Sequence, residues 1–212
     1  PMGISKCGIR LDSGDMAYLS QKARKMLDEA GWPECQISVS NSLDERLIQN
    51  LFLQGAQIDM FGVGERMITA KSEPVFGGVY KLTAVENEQG EIIPKIKCSE
   101  NVEKITIPHF KKVYRLYNKD NGKAIADYMT VYDEVVDENE PMMLFDPYAT
   151  WKTKNVCNYQ ARELLVPVFL KGKKVYESPA LKDIQTYCKQ QVDTLWDEIK
   201  RFDNPQTYYV DL

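Results

Sequence analysis

The sequence predicts a mixed α/β protein in which three βα units precede a β-rich region that ends in a long helix. Up to about residue 75 the chain repeats strand, loop and helix three times. Beyond Ala70 the apolar side chains change from helical spacing to alternation, which indicates strands. After residue 178 the helical spacing returns and continues to about residue 202. These changes divide the chain into residues 1–75 and residues 76–212.

The first βα unit begins near Cys7. The run Ile9-Arg10-Leu11-Asp12 alternates apolar and charged side chains, which predicts a strand with its charges on one face. Ser13 and Gly14 then end the strand, and Asp15 or Ser13 can cap the helix that follows. The apolar stripe predicted for this helix is Met16, Leu19, Ala23, Met26, Leu27 and Ala30.

Two further units follow the first. The second has a strand at residues 36–40 and a helix that begins with a capping box of Ser42 and Glu45 and ends at Gly55. Its predicted apolar stripe is Leu43, Leu47, Ile48, Leu51 and Phe52. The third has a strand at residues 57–61, the loop Gly62-Val63-Gly64 and a short helix at residues 65–69. Short connections of this kind favour parallel neighbouring strands with right-handed crossovers.

The second region is predicted to contain three hairpins and one helix. The hairpins pair residues 78–86 with 92–98, residues 112–118 with 123–132, and residues 164–170 with 173–177. Residues 135–140 predict an exposed acidic loop, and residues 141–159 show no clear period. We expect Ser178 to cap the helix, Pro179 to take its first position and Asn204-Pro205 to end it. Its predicted buried stripe is Leu181, Ile184, Cys188, Val192, Leu195, Trp196, Ile199 and Phe202.

The composition is that of an ordinary globular protein, with 43% hydrophobic and 27% charged residues. A net charge of −4 gives no electrostatic footprint for nucleic acid. No apolar run approaches the length of a membrane span, and the N-terminus lacks the features of a signal peptide, so we expect a cytoplasmic protein with no membrane partner. The five cysteines include no CxxC pair, which favours reduced, mostly buried thiols and argues against a zinc site.

Polar residues and glycines follow all three predicted strands of the first region. These residues are Arg10, Asp12 and Asp15 after the first strand, Asn41 and Ser42 after the second, and Gly62 and Gly64 after the third. Ligands bind beyond the carboxyl ends of parallel strands, and bare backbone amides suit an anion, so the set suits a phosphorylated sugar. A structural alternative stays open, in which Arg10 pairs with Asp12 or Asp15, Ser42 caps a helix and the glycines form a tight turn.

Six segments, in the right order, resemble those of one enzyme family. Residues 8–15 resemble the G-[IV]-R-x-D-S-G-D segment of nicotinate phosphoribosyltransferases. Residues 40–45 are similar to their S-N-x-L-D-E, and residues 62–64 to their G-V-G loop. Residues 77–82, 144–147 and 162–167 are similar to further segments of the bacterial enzymes. The resemblance therefore covers nearly the whole chain.

The resemblance implies an ATP-coupled enzyme of NAD salvage that joins nicotinate to phosphoribosyl pyrophosphate, giving nicotinate mononucleotide and pyrophosphate. ATP hydrolysis would be coupled through a phosphorylated histidine, with Mg²⁺ also implied. The expected fold is an irregular TIM-like α/β barrel beside a β-rich domain, in a homodimer with active sites near the subunit interface.

By this analogy each candidate residue acquires a role. Arg10 would hold the nicotinate carboxylate. Asp12 and Asp15, the catalytic candidates, would face the ribose, magnesium or the positive charge that develops at its anomeric carbon. Oxygens of ribose and phosphate would be held by Asn41, Ser42, Gly62 and Gly64, and the remaining substrate-binding candidates are Ser13, Gly14 and Glu65. The analogy assigns no protein metal ligand.

The chain departs from the family pattern in two respects. Many members have Thr where this chain has Glu65, and a carboxylate beside a phosphate weakens binding unless it points away or meets a metal. The phosphorylated histidine and the aromatic residue that stacks on nicotinate belong to a half that would precede Pro1. The only histidine, His109, is expected in a loop. A complete barrel needs about 250 residues, so we expect a C-terminal half that is inactive without its N-terminal half.

Two other interpretations stay open. One is a relative that acts on nicotinamide or quinolinate, against which Arg10 and the bacterial-type segments weigh. The other is a non-catalytic module that binds phosphate or a nucleotide.

Overall fold

A computed structural model describes residues 6–75, 77–101 and 104–212 as a mixed α/β fold. Contacts divide the chain into two compact units, one up to Val79 and one from Tyr80 onwards. The boundary expected from the sequence lay after residue 75, and Phe76 lies outside the described residues, as do residues 1–5. In the described part of the chain, no helix combines the length and the apolar character that a membrane span requires.

Unit 1 contains the three predicted βα units. Its elements are β1 (Gly8–Leu11), α1 (Met16–Glu29), β2 (Gln36–Ser40), α2 (Glu45–Leu53), β3 (Met60–Gly62) and α3 (Glu65–Ile68). The strands form a parallel sheet in the order β1-β2-β3, which confirms the predicted parallel neighbours. The middle strand β2 buries Ile37 and Val39 completely. Val39 packs with Ala17 of α1 and with Leu43 and Leu51, so both helices cover the sheet.

Helix α1 packs on the sheet through smaller side chains than predicted. Ala17 and Ser20 are its buried residues, whereas Met26 and Ala30 of the predicted stripe are exposed. The Ser20 hydroxyl donates to the Ala17 carbonyl at 2.9 Å and accepts from the Gln57 N–H at 3.1 Å. The bond to Gln57 connects α1 to the segment before β3, so the buried face of the helix includes a polar residue that the apolar spacing did not predict.

The predicted capping box of α2 is wrong. Asp44 is the N-cap, and its carboxylate accepts the Leu47 N–H at 2.8 Å. The C-terminus follows the prediction, because Gly55 has a φ of +74°. Its N–H bonds the Phe52 carbonyl, and the next N–H, of Ala56, bonds the carbonyl of Leu51. This is a Schellman ending, which favours glycine.

Unit 2 is built mainly from antiparallel strands. They are β4 (Ala84–Glu86), β5 (Ile92–Pro94), β6 (Lys111–Asn118), β7 (Ala124–Val131), β8 (Met142–Asp146), β9 (Ala149–Val156), β10 (Tyr159–Glu163), β11 (Phe169–Leu170), β12 (Lys173–Lys174) and β13 (Val210–Asp211), with α4 at Leu181–Thr194. The pairs β4/β5, β6/β7 and β11/β12 confirm the three predicted hairpins, although the first and third are shorter than expected. The hairpin β8/β9 and the strands β10 and β13 were not predicted.

The main sheet of unit 2 has the order β10-β6-β7-β13. Leu116, Ala126, Leu144, Val156 and Tyr159 form its buried cluster. The short strand β13 runs parallel to β7, and the adjoining Leu212 exchanges two backbone hydrogen bonds of 2.9 Å with Phe145 of β8. The end of the chain therefore lies between β7 and β8.

An ion pair with a tyrosine holds this end of the chain in place. Arg115 donates from Nε and Nη2 to the two carboxylate oxygens of Asp127 at 2.8 and 2.9 Å. The Tyr208 hydroxyl donates to the same carboxylate at 2.9 Å. Burial and the nearby Asp127 carboxylate raise the pKa of Tyr208, so the hydroxyl remains a donor.

The C-terminal helix is shorter than the sequence predicts. Helix α4 ends at Thr194 instead of continuing to Phe202, its N-cap is Ala180 instead of Ser178, and none of its residues is buried. A residue outside the helix bonds its C-terminus: Lys123 Nζ donates to the carbonyls of Asp193 and Leu195 at 2.8 and 3.1 Å. These bonds satisfy carbonyl groups that a longer helix would have used itself.

Candidate functional site

The carboxyl ends of the three strands of unit 1 lie side by side. Leu11 pairs with Val39, and Val39 pairs with Phe61, so the residues that follow each strand emerge along one edge of the sheet. All the candidate binding residues predicted from the sequence belong to this edge or to the loops that continue from it. Ligands of open parallel sheets bind at such an edge.

Arg10 and Asp12 form an ion pair at the end of β1, with 2.6 Å between Nη2 and Oδ2. Their side chains are 65% and 52% exposed. An exposed ion pair contributes only ~0–1 kcal/mol, so a ligand carboxylate can replace Asp12 on the guanidinium at little cost. The pairing is therefore compatible with both the structural and the ligand-binding interpretation of Arg10.

A hydrogen bond joins the loop after β2 to the loop after β1. Asn41 Nδ2 donates to the backbone oxygen of Asp12 at 2.9 Å. Asn41 and Ser42 have φ values of 90° and 51°, and the Ser42 hydroxyl donates to Asn41 Oδ1 at 3.2 Å. Two successive left-handed residues are strained, at about 1–3 kcal/mol each. Since Asp44 caps α2, the Ser42 side chain is not needed as a helix cap.

The other two carboxylates among the predicted site residues, Asp15 and Glu65, have partners within unit 1. Asp15 is the N-cap of α1 and accepts the Tyr18 N–H at 2.9 Å. Glu65 lies 3.5 Å from Lys71 Nζ, so its charge is partly balanced within the same unit. In the turn between β1 and α1, Gly14 has a φ of +79°, which favours glycine at that position.

The two glycines of the loop after β3 have different local environments. A Cβ on Gly62 would lie 3.2 Å from Ser40 Cβ, so the close approach of β3 to β2 favours a glycine there. A Cβ on Gly64 would meet nothing within 4 Å. Gly64 is exposed, and a side chain at this position would extend into open space.

An ion pair that was not predicted from the sequence joins Asp44 to Arg66 and connects the cap of α2 to helix α3. The Leu47 N–H and the Arg66 guanidinium lower the pKa of Asp44, so that it stays ionised. A cavity of about 210 Å³ adjoins this pair, and its lining includes Arg66 and Lys71. An aspartate just before a helix is a known capping signal, so the cap could have been predicted from the sequence. The pairing of Asp44 with Arg66 could not, because the two residues lie 22 positions apart.

His109 belongs to unit 2, where its backbone N–H donates to the Thr83 carbonyl at 2.8 Å. Its φ of 85° and its place just before β6 make it part of a connection between strands, as expected.

Comparison with known proteins identifies the family. A family model described as "Nicotinate phosphoribosyltransferase C-terminal domain" matches residues 110–212. Over 209 residues, the chain is 47% identical to a nicotinate phosphoribosyltransferase of Bacillus subtilis, covering 99% of this chain and 42% of that protein. The chain belongs to the nicotinate phosphoribosyltransferase family.

More distant matches are also phosphoribosyltransferases of nicotinate. A nicotinate phosphoribosyltransferase of Dictyostelium discoideum is 32% identical over 224 residues, covering 99% of this chain and 37% of that protein. The chain thus spans about two fifths of the length of these curated phosphoribosyltransferases. The crystal structure of human nicotinic acid phosphoribosyltransferase matches 97% of this chain and 38% of its own, with a TM-score of 0.69 and 26% identity.

A crystal structure of nicotinate-nucleotide pyrophosphorylase from Pyrococcus furiosus is also similar. It covers 88% of this chain and 40% of its own, with a TM-score of 0.57 and 25% identity. The mixed α/β fold described above is therefore that of solved phosphoribosyltransferase structures. The roles of the individual site residues in this family member stay predictions.

Proposed function

We propose that this chain supplies part of the substrate site of an enzyme that makes nicotinate mononucleotide and pyrophosphate from nicotinate and phosphoribosyl pyrophosphate, in NAD salvage. The observation that carries the proposal is the bond from Asn41 to the Asp12 backbone, which holds the loops after β1 and β2 together beside Arg10. The similarity to the Bacillus subtilis enzyme covers 99% of the chain, which includes both loops.

Arg10 has the chemistry to recognise nicotinate. A guanidinium presents a planar fork of donors that matches a carboxylate, whereas the uncharged amide of nicotinamide offers a weaker partner. When the ligand carboxylate replaces Asp12 on Arg10, the Asp12 carboxylate becomes available to the ribose. As the bond from the anomeric carbon to pyrophosphate breaks, positive charge develops on that carbon, and a nearby carboxylate stabilises it.

The loop after β3 supplies the phosphate contacts in this proposal. The exposed Gly64 leaves room for a phosphate beside the loop, and Arg66 and Lys71 line a nearby cavity together with Asp44 and Glu45. The pairing of Glu65 with Lys71 keeps part of its negative charge balanced, which reduces repulsion of an incoming phosphate.

Mg²⁺ and ATP are part of the same proposal. Mg²⁺ usually binds through one or two carboxylates together with substrate phosphates. Asp12 and Asp15, both in the loop after β1, fit that mode, whereas the described residues hold no group of three or more His, Cys, Asp or Glu side chains that could bind a metal by themselves. When bound, Mg²⁺ would neutralise charge on the pyrophosphate.

The remaining parts of the enzyme are proposed from the length of the relatives. The strands β1–β3 would form part of a TIM-like barrel, completed by chain that this sequence does not include. That additional part would also carry the phosphorylated histidine that couples ATP hydrolysis. We further propose a cytoplasmic homodimer, as the family resemblance implies.

An assay of the protein at its natural length tests this function. Nicotinate, nicotinamide and quinolinate are each incubated with phosphoribosyl pyrophosphate, Mg²⁺ and ATP, and the mononucleotide and pyrophosphate are quantified. We expect nicotinate to be used in preference to the other two. Preferential use of nicotinamide or quinolinate would contradict the proposal and identify that base as the substrate instead. Binding of phosphoribosyl pyrophosphate without turnover of any base would favour a binding module.

A further inference from the structure

Cys7 and Cys35 lie next to each other at the start of the parallel sheet. Gly8 pairs with Gln36 in the register of β1 and β2, and the Gln36 N–H donates to the Cys7 carbonyl at 3.2 Å. The residues that precede this pair, Cys7 and Cys35, therefore occupy opposing positions on the same face. Neighbouring strands lie about 4.8 Å apart, a separation within the Cα range that a disulfide spans, roughly 4.4–6.8 Å.

The two thiols differ in exposure and in their surroundings. The neighbouring Cys7 thiol, together with burial, raises the pKa of Cys35. Cys35 is only 2% exposed, whereas Cys7 is half-buried. The expectation that most of the cysteines are buried is wrong, because Cys98, Cys157 and Cys188 are exposed, and all five are free.

A small reagent can reach the pair through a cavity of about 610 Å³ whose lining includes Cys7, Cys35, Lys6 and Trp32. Arg24 also lies close, since its guanidinium donates to the Cys35 carbonyl at 2.6 Å. The cavity is lined by charges of both signs, since Glu34 lies in its lining together with Lys6.

We propose that Cys7 and Cys35 are a redox pair that closes reversibly into a disulfide by exchange with a low-molecular-weight disulfide. The Cys7 thiolate attacks one sulfur of glutathione disulfide, forms a mixed disulfide and releases one glutathione thiolate. Cys35 then loses its proton and attacks Cys7 Sγ, expelling the second glutathione. Overall, two protein thiols and one glutathione disulfide become one protein disulfide and two molecules of reduced glutathione.

The order of these steps follows from exposure. Cys7 is the more accessible thiol, and Cys35 is the buried one. Both residues lie just outside their strands, so their backbones can adjust to the geometry of the bond. The disulfide would join the starts of β1 and β2 and enclose α1, at the opposite end of the strands from Asn41 and the candidate site.

The test is a titration of the protein at its natural length with mixtures of oxidised and reduced glutathione, followed by intact-mass measurement and non-reducing peptide mapping. We expect a mass loss of two hydrogen atoms and a linked peptide pair that contains Cys7 and Cys35. In the Cys35→Ser variant we expect a glutathione adduct that persists on Cys7. The control variant Cys98→Ser, which alters an exposed cysteine, retains the linked pair.

Two outcomes would overturn the redox pair. One is that the exposed cysteines collect glutathione adducts while Cys7 and Cys35 stay unlinked in the wild-type protein. The other is that the link forms only after denaturation in urea. Because peptide mapping of the wild type decides both outcomes, the test does not depend on whether Cys35→Ser folds. Since Cys7 and Cys35 have no place in the proposed substrate site, neither outcome bears on the proposed function.

Discussion

The side chain of Asn41 donates a 2.9 Å hydrogen bond to the backbone oxygen of Asp12, joining the loops that follow the first two strands of the parallel sheet. The bond connects residues 29 positions apart and leaves the Asp12 carboxylate free to pair with Arg10. Asn41 combines this bond with a left-handed backbone, so both the side chain and the conformation of this one residue shape the edge of the sheet.

Replacing Asn41 separates these two contributions. Asn41→Gly removes the hydrogen bond but accepts the φ of 90°, and we expect a loss of about 1 kcal/mol in the free energy of unfolding. Asn41→Ala also has to adopt the left-handed conformation, at roughly 1–2 kcal/mol more. Urea unfolding measures both. Equal stability of the alanine and glycine variants would show that position 41 does not need a left-handed residue.

Arg10→Gln should erase most of the preference for nicotinate over nicotinamide. A hydrogen bond to a charged group contributes about 1.5–3 kcal/mol, or roughly tenfold to a hundredfold in the ratio of the two affinities. Competition binding in the protein at its natural length measures this ratio. Lys25→Gln is the matched control, because it removes a positive charge from the exposed face of α1. The role of Arg10 is contradicted if its variant keeps the wild-type ratio.

The two glycines after β3 should respond differently to the same substitution. Gly64→Ala places its methyl group in open space, so we expect normal stability and weaker binding of phosphoribosyl pyrophosphate, with Gly64→Val blocking it. Gly62→Ala brings Cβ to 3.2 Å from Ser40, and such overpacking costs about 1–3 kcal/mol of stability. Calorimetric titration and urea unfolding give the two readouts. Wild-type affinity in a folded Gly64→Val protein would mean that the loop is only a turn.

Asp44 should make the stability of the protein sensitive to acid. Its pKa is lowered in the folded state, so its contribution is fully present above the ordinary carboxyl pKa and is lost as the pH falls through the lowered value. Asp44→Asn keeps a capping residue but removes the charge opposite Arg66. We therefore expect the urea midpoint of this variant to fall less steeply between about pH 5 and pH 2.

The control for this pH dependence is Glu29→Gln, which removes a carboxylate from the exposed face of α1. Its urea midpoint should follow the wild-type pH profile. If Asp44→Asn also follows that profile, the ion pair with Arg66 does not contribute to acid sensitivity.

Tyr208→Phe should loosen the end of the chain in unit 2. The variant loses a hydrogen bond to the Asp127 carboxylate, which is only 8% exposed, and we expect a loss of about 1.5 kcal/mol in stability. Hydrogen exchange at Val210 and Asp211 should accelerate, because β13 pairs with β7 beside this contact. Tyr148→Phe, at an exposed tyrosine, serves as the control. Unchanged exchange in Tyr208→Phe would show that β13 is held by its backbone bonds alone.

Elements with local sequence signals were predicted correctly. Strand β2 runs from Gln36 to Ser40 as predicted, and the βα repeat of unit 1 is present in full. The central hairpin of unit 2 and the glycine ending of α2 were also correct. Alternation, helical spacing and glycine turns act over a few residues, so they can be recognised without knowing the rest of the structure. The motifs after β1, β2 and β3 placed the candidate site at one edge of the sheet for the same reason.

Contacts between residues far apart in the chain could not be predicted in this way. Asp44 pairs with Arg66, Lys123 ends α4 some seventy residues further along the chain, and Tyr208 reaches Asp127 across 81 positions. Each contact satisfies a charge or a carbonyl group that the local sequence leaves without a partner. Residues at this separation leave no periodic pattern in the sequence, because the folded backbone alone brings them within hydrogen-bonding distance.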